Sequence, residues 1–379
     1  MPRPQAGIPC PQPNNMAARM SSCRLTSAAA CLLAASILAT GCGGDSDSTS
    51  SSSTSAAGRP APPKSAFPTA DGRSLGEIVK AADGHAELVV SPAALVFHRG
   101  VNRYPFGVFE PDRSQVDEAE VALYIAKVPA VGGAGDGAAK DGKQSKGAVA
   151  RARKEALEQP ATGPYPAAIE SLVTKPAFRA QTTTSDPDAA SVVYTTELDF
   201  SSDGEWQIAA LIKQGDETVG ALLPSAAVGE FDGVPRTGQK APRIHTPTLD
   251  DVAGDPEKVT TRIPPDTQNS VDYADALGKE PIILLFATPQ FCQSRVCGPV
   301  VDVAEQVKEE RGDDAAFIHM EIFNDNDPGK GVRPQVRAFS LPSEPWLFAI
   351  DRQGVIQAEI EGAFGAERLT RAVEEVSGE

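Results

Sequence analysis

Residues 281–288, Pro-Ile-Ile-Leu-Leu-Phe-Ala-Thr, form a continuous apolar run, and two cysteines, Cys292 and Cys297, stand just past it. The run reads as a buried strand that delivers its thiols to the C-terminal edge of a sheet, where a helix begins. A helix N-terminus favours thiolate over thiol, so this arrangement makes a cysteine reactive. Nowhere else in the chain does the sequence point so directly to chemistry.

At 379 residues the chain exceeds the usual size of one domain, and two folded units with tails are expected. A hydrophobic content of 41% is enough for packed cores. The formal net charge of -16 argues against nucleic acid as a partner, because that role needs clustered positive charge to replace counterions.

The start of the chain carries the signs of export. Residues 1–15 are proline-rich, which moves the expected start of translation to Met16 or Met20. Arg19 and Arg24 then make a positive region and residues 28–39 an apolar one too short to span a bilayer. The segment Ala39-Thr40-Gly41-Cys42 resembles a bacterial lipobox, with alanine where that motif most often has leucine. The resemblance implies a lipoprotein signal over 1–42 and lipidation of Cys42, which would hold the protein at the extracytoplasmic face of the cell membrane. The Ser- and Pro-rich residues 43–84 read as a disordered tether. With Cys42 acylated and everything before it removed, Cys292 and Cys297 are the free cysteines that remain, and in an exported chain they are expected to pair.

Between residues 85 and 232 the pattern becomes short apolar strands separated by turns, with candidates at 87–90, 94–97, 106–109, 121–126, 192–196, 206–212 and 219–223. These suggest a β-sandwich. The segment Ser202-Asp-Gly-Glu-Trp206 before an apolar strand resembles the late strands of immunoglobulin-like bacterial domains, with Trp206 as a core anchor. A low-complexity insertion, 130–160, interrupts the strands. Its basic residues, from Lys140 to Lys154, read as a solvated run with anionic lipid as the sharper alternative, and 148–159 reads as a short exposed helix.

From residue 233 to the C-terminus the expected order is strand (282–287), helix (298–311), strand (316–323), helix (332–339), strand (346–350), turn at Asp351-Arg-Gln-Gly354, strand (355–361) and helix (367–376). Together with Gly238-Gln-Lys-Ala-Pro242, this resembles the thioredoxin-like superfamily, in particular its TlpA-like and peroxiredoxin-like members. The resemblance implies an α/β thioredoxin-like domain over 233–379. It also implies a cis-proline at Pro345 facing the cysteines, with Pro342 as the competing position; such a bond exposes backbone for pairing with an extended substrate.

The chain departs from that family in several places. Four residues separate Cys292 from Cys297 where the usual pair has two. Were both helical they would sit about 140° apart and about 7–8 Å along the axis, too far for a disulfide, so Cys292 must precede the helix. Strand 282–286 offers no counterpart of thioredoxin's buried carboxylate. The Pro-x-x-x-Thr-x-x-Cys pattern of peroxiredoxins is missing.

These residues still describe a thiol-disulfide oxidoreductase with a redox-active disulfide as its only cofactor. Cys292 is the nucleophile, supported by the helix N-terminus and Arg295, and Cys297 resolves the mixed disulfide with a protein thiol or disulfide partner. Two other readings stand beside it. One is a redox-silent cell-surface scaffold in which the disulfide is structural. The other is a copper-binding protein of the Sco type, with Cys292, Cys297 and His319 as ligands. His319 and Glu321 share a strand face, where a buried, hydrogen-bonded polar pair is the plainer expectation.

Overall fold

The computed structural model describes residues 58–130, 146–231, 233–292 and 294–378. Cys42, the expected signal segment, the first part of the expected tether and residues 131–145 of the insertion lie outside these. The helices are α1 (Leu75–Lys80), α2 (Lys146–Ala156), α3 (Gln181–Thr184), α4 (Tyr273–Ala276), α5 (Cys297–Arg311), α6 (Pro334–Ala338) and α7 (Ala366–Ser377). The strands are β1 (Val89–Pro92), β2 (Gly100–Phe109), β3 (Glu120–Lys127), β4 (Thr162–Pro166), β5 (Ala168–Ser171), β6 (Val192–Phe200), β7 (Gly204–Gln214), β8 (Glu217–Val228), β9 (Ile282–Phe286), β10 (Ala316–Met320), β11 (Trp346–Ile350) and β12 (Ile356–Glu361).

The first eight strands make two antiparallel sheets, in the orders β1-β2-β6-β5 and β4-β3-β7-β8. Alternate residues of both, among them Phe106, Tyr194 and Phe200 from one and Leu123, Ile125 and Ile208 from the other, share a single apolar core, so the sheets pack face to face. Trp206 sits in that core against Phe200, with its ring N–H donating to Ser202 O at 2.9 Å.

Three expectations fail in this half. Residues 94–97 do not form a strand: the backbone N–H groups of Leu95 and Val96 donate to the Glu361 carboxylate at 2.9 and 2.8 Å, which removes them from any ladder. The structure instead adds β4 and β5 after the insertion. The described end of the expected tether is also ordered. Phe67, Leu75 and Ile78 cover the outer face of the second sheet at Tyr124, Ala209 and Leu211, and α1 begins with a capping box between Ser74 and Glu77. A segment that buries this much apolar surface has the free energy to hold one conformation. The helix expected at 148–159 appears as α2, and it is not wholly exposed, because Ala152 and Ala156 pack on Val128.

The last four strands form a sheet of order β10-β9-β11-β12, with β9 and β10 parallel and β11 antiparallel to both β9 and β12. This is the thioredoxin-like arrangement. Both faces of β9 are covered: Ile283 and Leu285 face α5 and α7, while Ile282, Leu284 and Phe286 face Tyr273, Val336 and Phe339. The continuous apolar run follows from that double burial.

The sandwich and the α/β sheet belong to one compact unit. Leu172, Ala190 and Val193 enter the core shared by α5 and α7. Arg103 on β2 donates to the carbonyls of Glu361 and Ala363, at 3.1 and 2.5 Å. Among the described residues, no helix is long and apolar enough to cross a membrane.

Candidate functional site

Strand β9 leads through Ala287 and Thr288, both fully buried, into the loop that carries Cys292. Cys297 opens α5 and is itself buried, whereas Cys292 is half-buried. The two form a disulfide with Cα atoms 5.9 Å apart. That separation falls inside the usual range of about 4.4–6.8 Å because Cys292 lies before the helix, as the spacing demands. Arg295 takes a left-handed backbone conformation (φ 60°) in the loop between them.

The peptide bond before Pro345 is cis, whereas the competing Pro342 is not among the cis prolines of the described residues. Pro345 is buried at the start of β11, and its carbonyl accepts from Gly362 N at 2.9 Å. The residue just before it, Glu344, brings a carboxylate oxygen to the disulfide: that atom and the two sulfurs all lie within 4.8 Å of one another. Burial, then the negative charge of Glu321, push the Glu344 carboxyl up to about 7. Sequence reasoning missed Glu344, although its position directly before the expected cis-proline was a signal.

Arg295, expected beside the thiolate, is engaged elsewhere as well. Its guanidinium pairs with Asp188 at 3.0 Å, and its carbonyl accepts from Ala190 N. The Ser294 hydroxyl lies 3.2 Å from Cys292 Sγ, and α5 begins at Cys297. Arg295 still borders a cleft of about 410 Å³ with Cys292, Phe291 and the α3 residues Thr182 and Thr183. A groove of about 390 Å³ runs along Ser294 and Glu344, walled by Leu95, Phe323, Val336 and Leu341. Residues that precede the α/β half thus line both the cleft at Cys292 and the groove at Glu344.

His319 is not available as a metal ligand, which corrects the set of Cys292, Cys297 and His319. Its Nδ1 meets Asp266 Oδ2 at 2.9 Å and its Nε2 meets Ala287 O at 3.1 Å, both sealed from water. Burial alone would lower its pKa, but the Asp266 carboxylate raises it to about 9, so the ring is cationic at neutral pH. The buried pair expected between His319 and Glu321 is therefore made with Asp266 instead. Glu321, buried beyond β10, accepts from Thr261 N at 2.6 Å. Among the described residues, the sulfur and carboxylate atoms that come within 4.8 Å of one another at this site are those of Cys292, Cys297 and Glu344, without His319.

No protein-family model matches this chain, and no curated protein matches it. Among solved structures, a protein described as thiol:disulfide interchange protein DsbE from Chlorobium tepidum aligns at 16% identity and TM-score 0.27, covering 38% of this chain and 99% of that one. A thioredoxin-family thiol:disulfide interchange protein from Chlorobium tepidum TLS aligns at 19% identity and TM-score 0.26, covering 37% and 97%. Scores this low add nothing to the sheet order and the cis-proline described above.

Proposed function

We propose that this protein is an extracytoplasmic, membrane-anchored thiol-disulfide oxidoreductase that uses the Cys292/Cys297 pair on protein thiols or disulfides. The observation that carries the reading is a disulfide at the start of α5, just past a doubly buried strand, with the Glu344 carboxylate within 4.8 Å of both sulfurs. One sulfur belongs to a half-buried residue and the other to a fully buried one, the asymmetry expected of a nucleophile and a resolving thiol. The sequence around Cys42 supports the lipid anchor. The sandwich is read as immunoglobulin-like; its strand orders, with β1-β2-β6-β5 against β4-β3-β7-β8, support this.

A redox titration of the two thiols tests the proposal. A midpoint between about -270 and -120 mV is the oxidoreductase range, and one below about -300 mV assigns the bond to a structural staple.

A further inference from the structure

The exchange described above needs a proton acceptor that the expected machinery does not supply. Strand β9 is apolar throughout, so it offers no carboxylate beneath the pair. Cys297 is fully buried, and a thiol becomes a good nucleophile only when a base takes its proton.

Glu344 stands where such a base is needed. Its carboxylate lies within 4.8 Å of both sulfurs, a gap that one bridging water spans. The cis bond to Pro345 and the buried start of β11 fix its backbone. Around it, the groove walls contributed by Leu95, Ile322, Phe323, Val332, Val336 and Leu341 bear no titratable group. The charge that faces it is Glu321, from the end of β10. Two neighbouring charges are already engaged. Glu361, on β12, is held by Leu95 N, Val96 N and Ser343 Oγ. Arg333, beside Glu321, donates to Phe323 O and Asn326 Oδ1.

We infer that Glu344 is the proton-transfer residue of the Cys292/Cys297 pair, an inference that rests on the thiol-disulfide reading of this site. When the reduced protein meets a partner disulfide, the Cys292 thiolate attacks one partner sulfur and expels the other as thiolate, leaving a mixed disulfide. The Glu344 carboxylate then takes the proton from Cys297 Sγ as that sulfur attacks Cys292 Sγ. The Cys292–Cys297 bond closes, the partner's remaining sulfur departs as thiolate, and two electrons have passed from the dithiol to the partner. In reverse, a partner thiolate attacks Cys292, and the protonated Glu344 returns its proton to Cys297 as that sulfur leaves. A carboxyl that changes state near neutral pH suits both directions.

The test uses the reduced protein with residues before Cys42 removed and Cys42 acylated, which leaves Cys292 and Cys297 as its free thiols, and an aromatic disulfide whose chromophore is released once on attack by Cys292 and again on closure by Cys297. In the natural protein, the rate of the second release is expected to rise across about pH 7. In Glu344→Gln that rise should vanish, and the ratio of second to first release should fall tenfold or more, from the general scale of acid-base catalysis. If Glu344→Gln keeps the natural pH profile and ratio, the inference is overturned while the thiol-disulfide reading stands. If the natural protein releases no chromophore at any pH, that reading itself fails. Should Glu344→Gln not fold, Glu344→Asp decides: its shorter reach slows closure if Glu344 is the base, and an unchanged rate and profile overturn the role.

Discussion

Arg368 Nε donates to Glu170 Oε1 at 2.7 Å, tying the last helix of the α/β half to strand β5 of the sandwich. Arg103, from β2, approaches the same carboxylate at 3.7 Å, and Gly365 N donates to it at 3.1 Å. Burial works against ionisation here, but Arg103 and Arg368 outweigh it and hold the Glu170 carboxyl below its ordinary range. A depressed carboxyl contributes stability above its unfolded pKa and loses it as pH falls through the folded one. Acidification of the natural protein below the ordinary glutamate range should therefore remove this contribution as Glu170 takes up its proton. Glu170→Gln should cost about 2 kcal/mol at pH 7 and flatten the acid limb, as read by denaturant titrations at pH 3–7. Equal acid limbs in the two proteins would contradict the assignment.

His319 and Asp266 give the opposite sign. The imidazole is held cationic up to about 9, so its contribution is full below the unfolded value of about 6.5 and disappears as pH rises toward 9. His319→Gln leaves Asp266 buried without its ion-pair partner and should cost about 3 kcal/mol or more at pH 6. The variant should also lack the loss of stability between pH 6.5 and 9. Thermal unfolding across that window checks both effects.

Cys292→Ser should abolish exchange with a disulfide substrate, because the half-buried sulfur is the one a partner reaches. Cys297→Ser should accumulate mixed disulfides that survive quenching with acid and run as a heavier band on non-reducing gels. Equal trapping by both variants would remove the distinction between nucleophile and resolving thiol.

Leu75 and Ile78 on α1 are fully buried against the outer face of the sandwich. Replacing either with alanine should cost about 2–5 kcal/mol, whereas a true tether would tolerate the change. Chemical denaturation of the single variants measures this.

Cys42→Ala should move the protein from the membrane fraction to the soluble extracytoplasmic one. Metabolic labelling with a fatty acid should disappear with it. A natural protein that takes up no label would end the anchor proposal.

The α/β half was readable because double burial writes itself as apolar runs. Residues 282–286 and 346–350 carry no alternation to misplace, and Leu369, Ala372, Val373 and Val376 repeat at helical spacing. In the sandwich the signal thins. Strand β4 contains Gly163, Pro164 and Pro166, residues that read as turn, and β5 is only four residues long. The apolar stretch 94–97 looks like a strand until Glu361, far away in sequence, takes its N–H groups. Composition also hid α1, although Ser74 and Glu77 spell a helix start. At the candidate site the cysteines and Pro345 were legible, being residue types with few structural uses. The ion pairs of Arg295 and His319 were not legible because their carboxylates, Asp188 and Asp266, are contributed by segments distant in sequence.

Leu172, Ala190 and Val193 extend the hydrophobic packing behind α5 from the other side of the molecule. The α/β half is consequently no interchangeable cassette: cut away at residue 233, it would lose part of its own interior and present bare aliphatic surface to solvent. A graft of the disulfide-bearing half into another protein would have to bring Leu172, Ala190 and Val193, or aliphatic side chains of similar volume, to fill the same space.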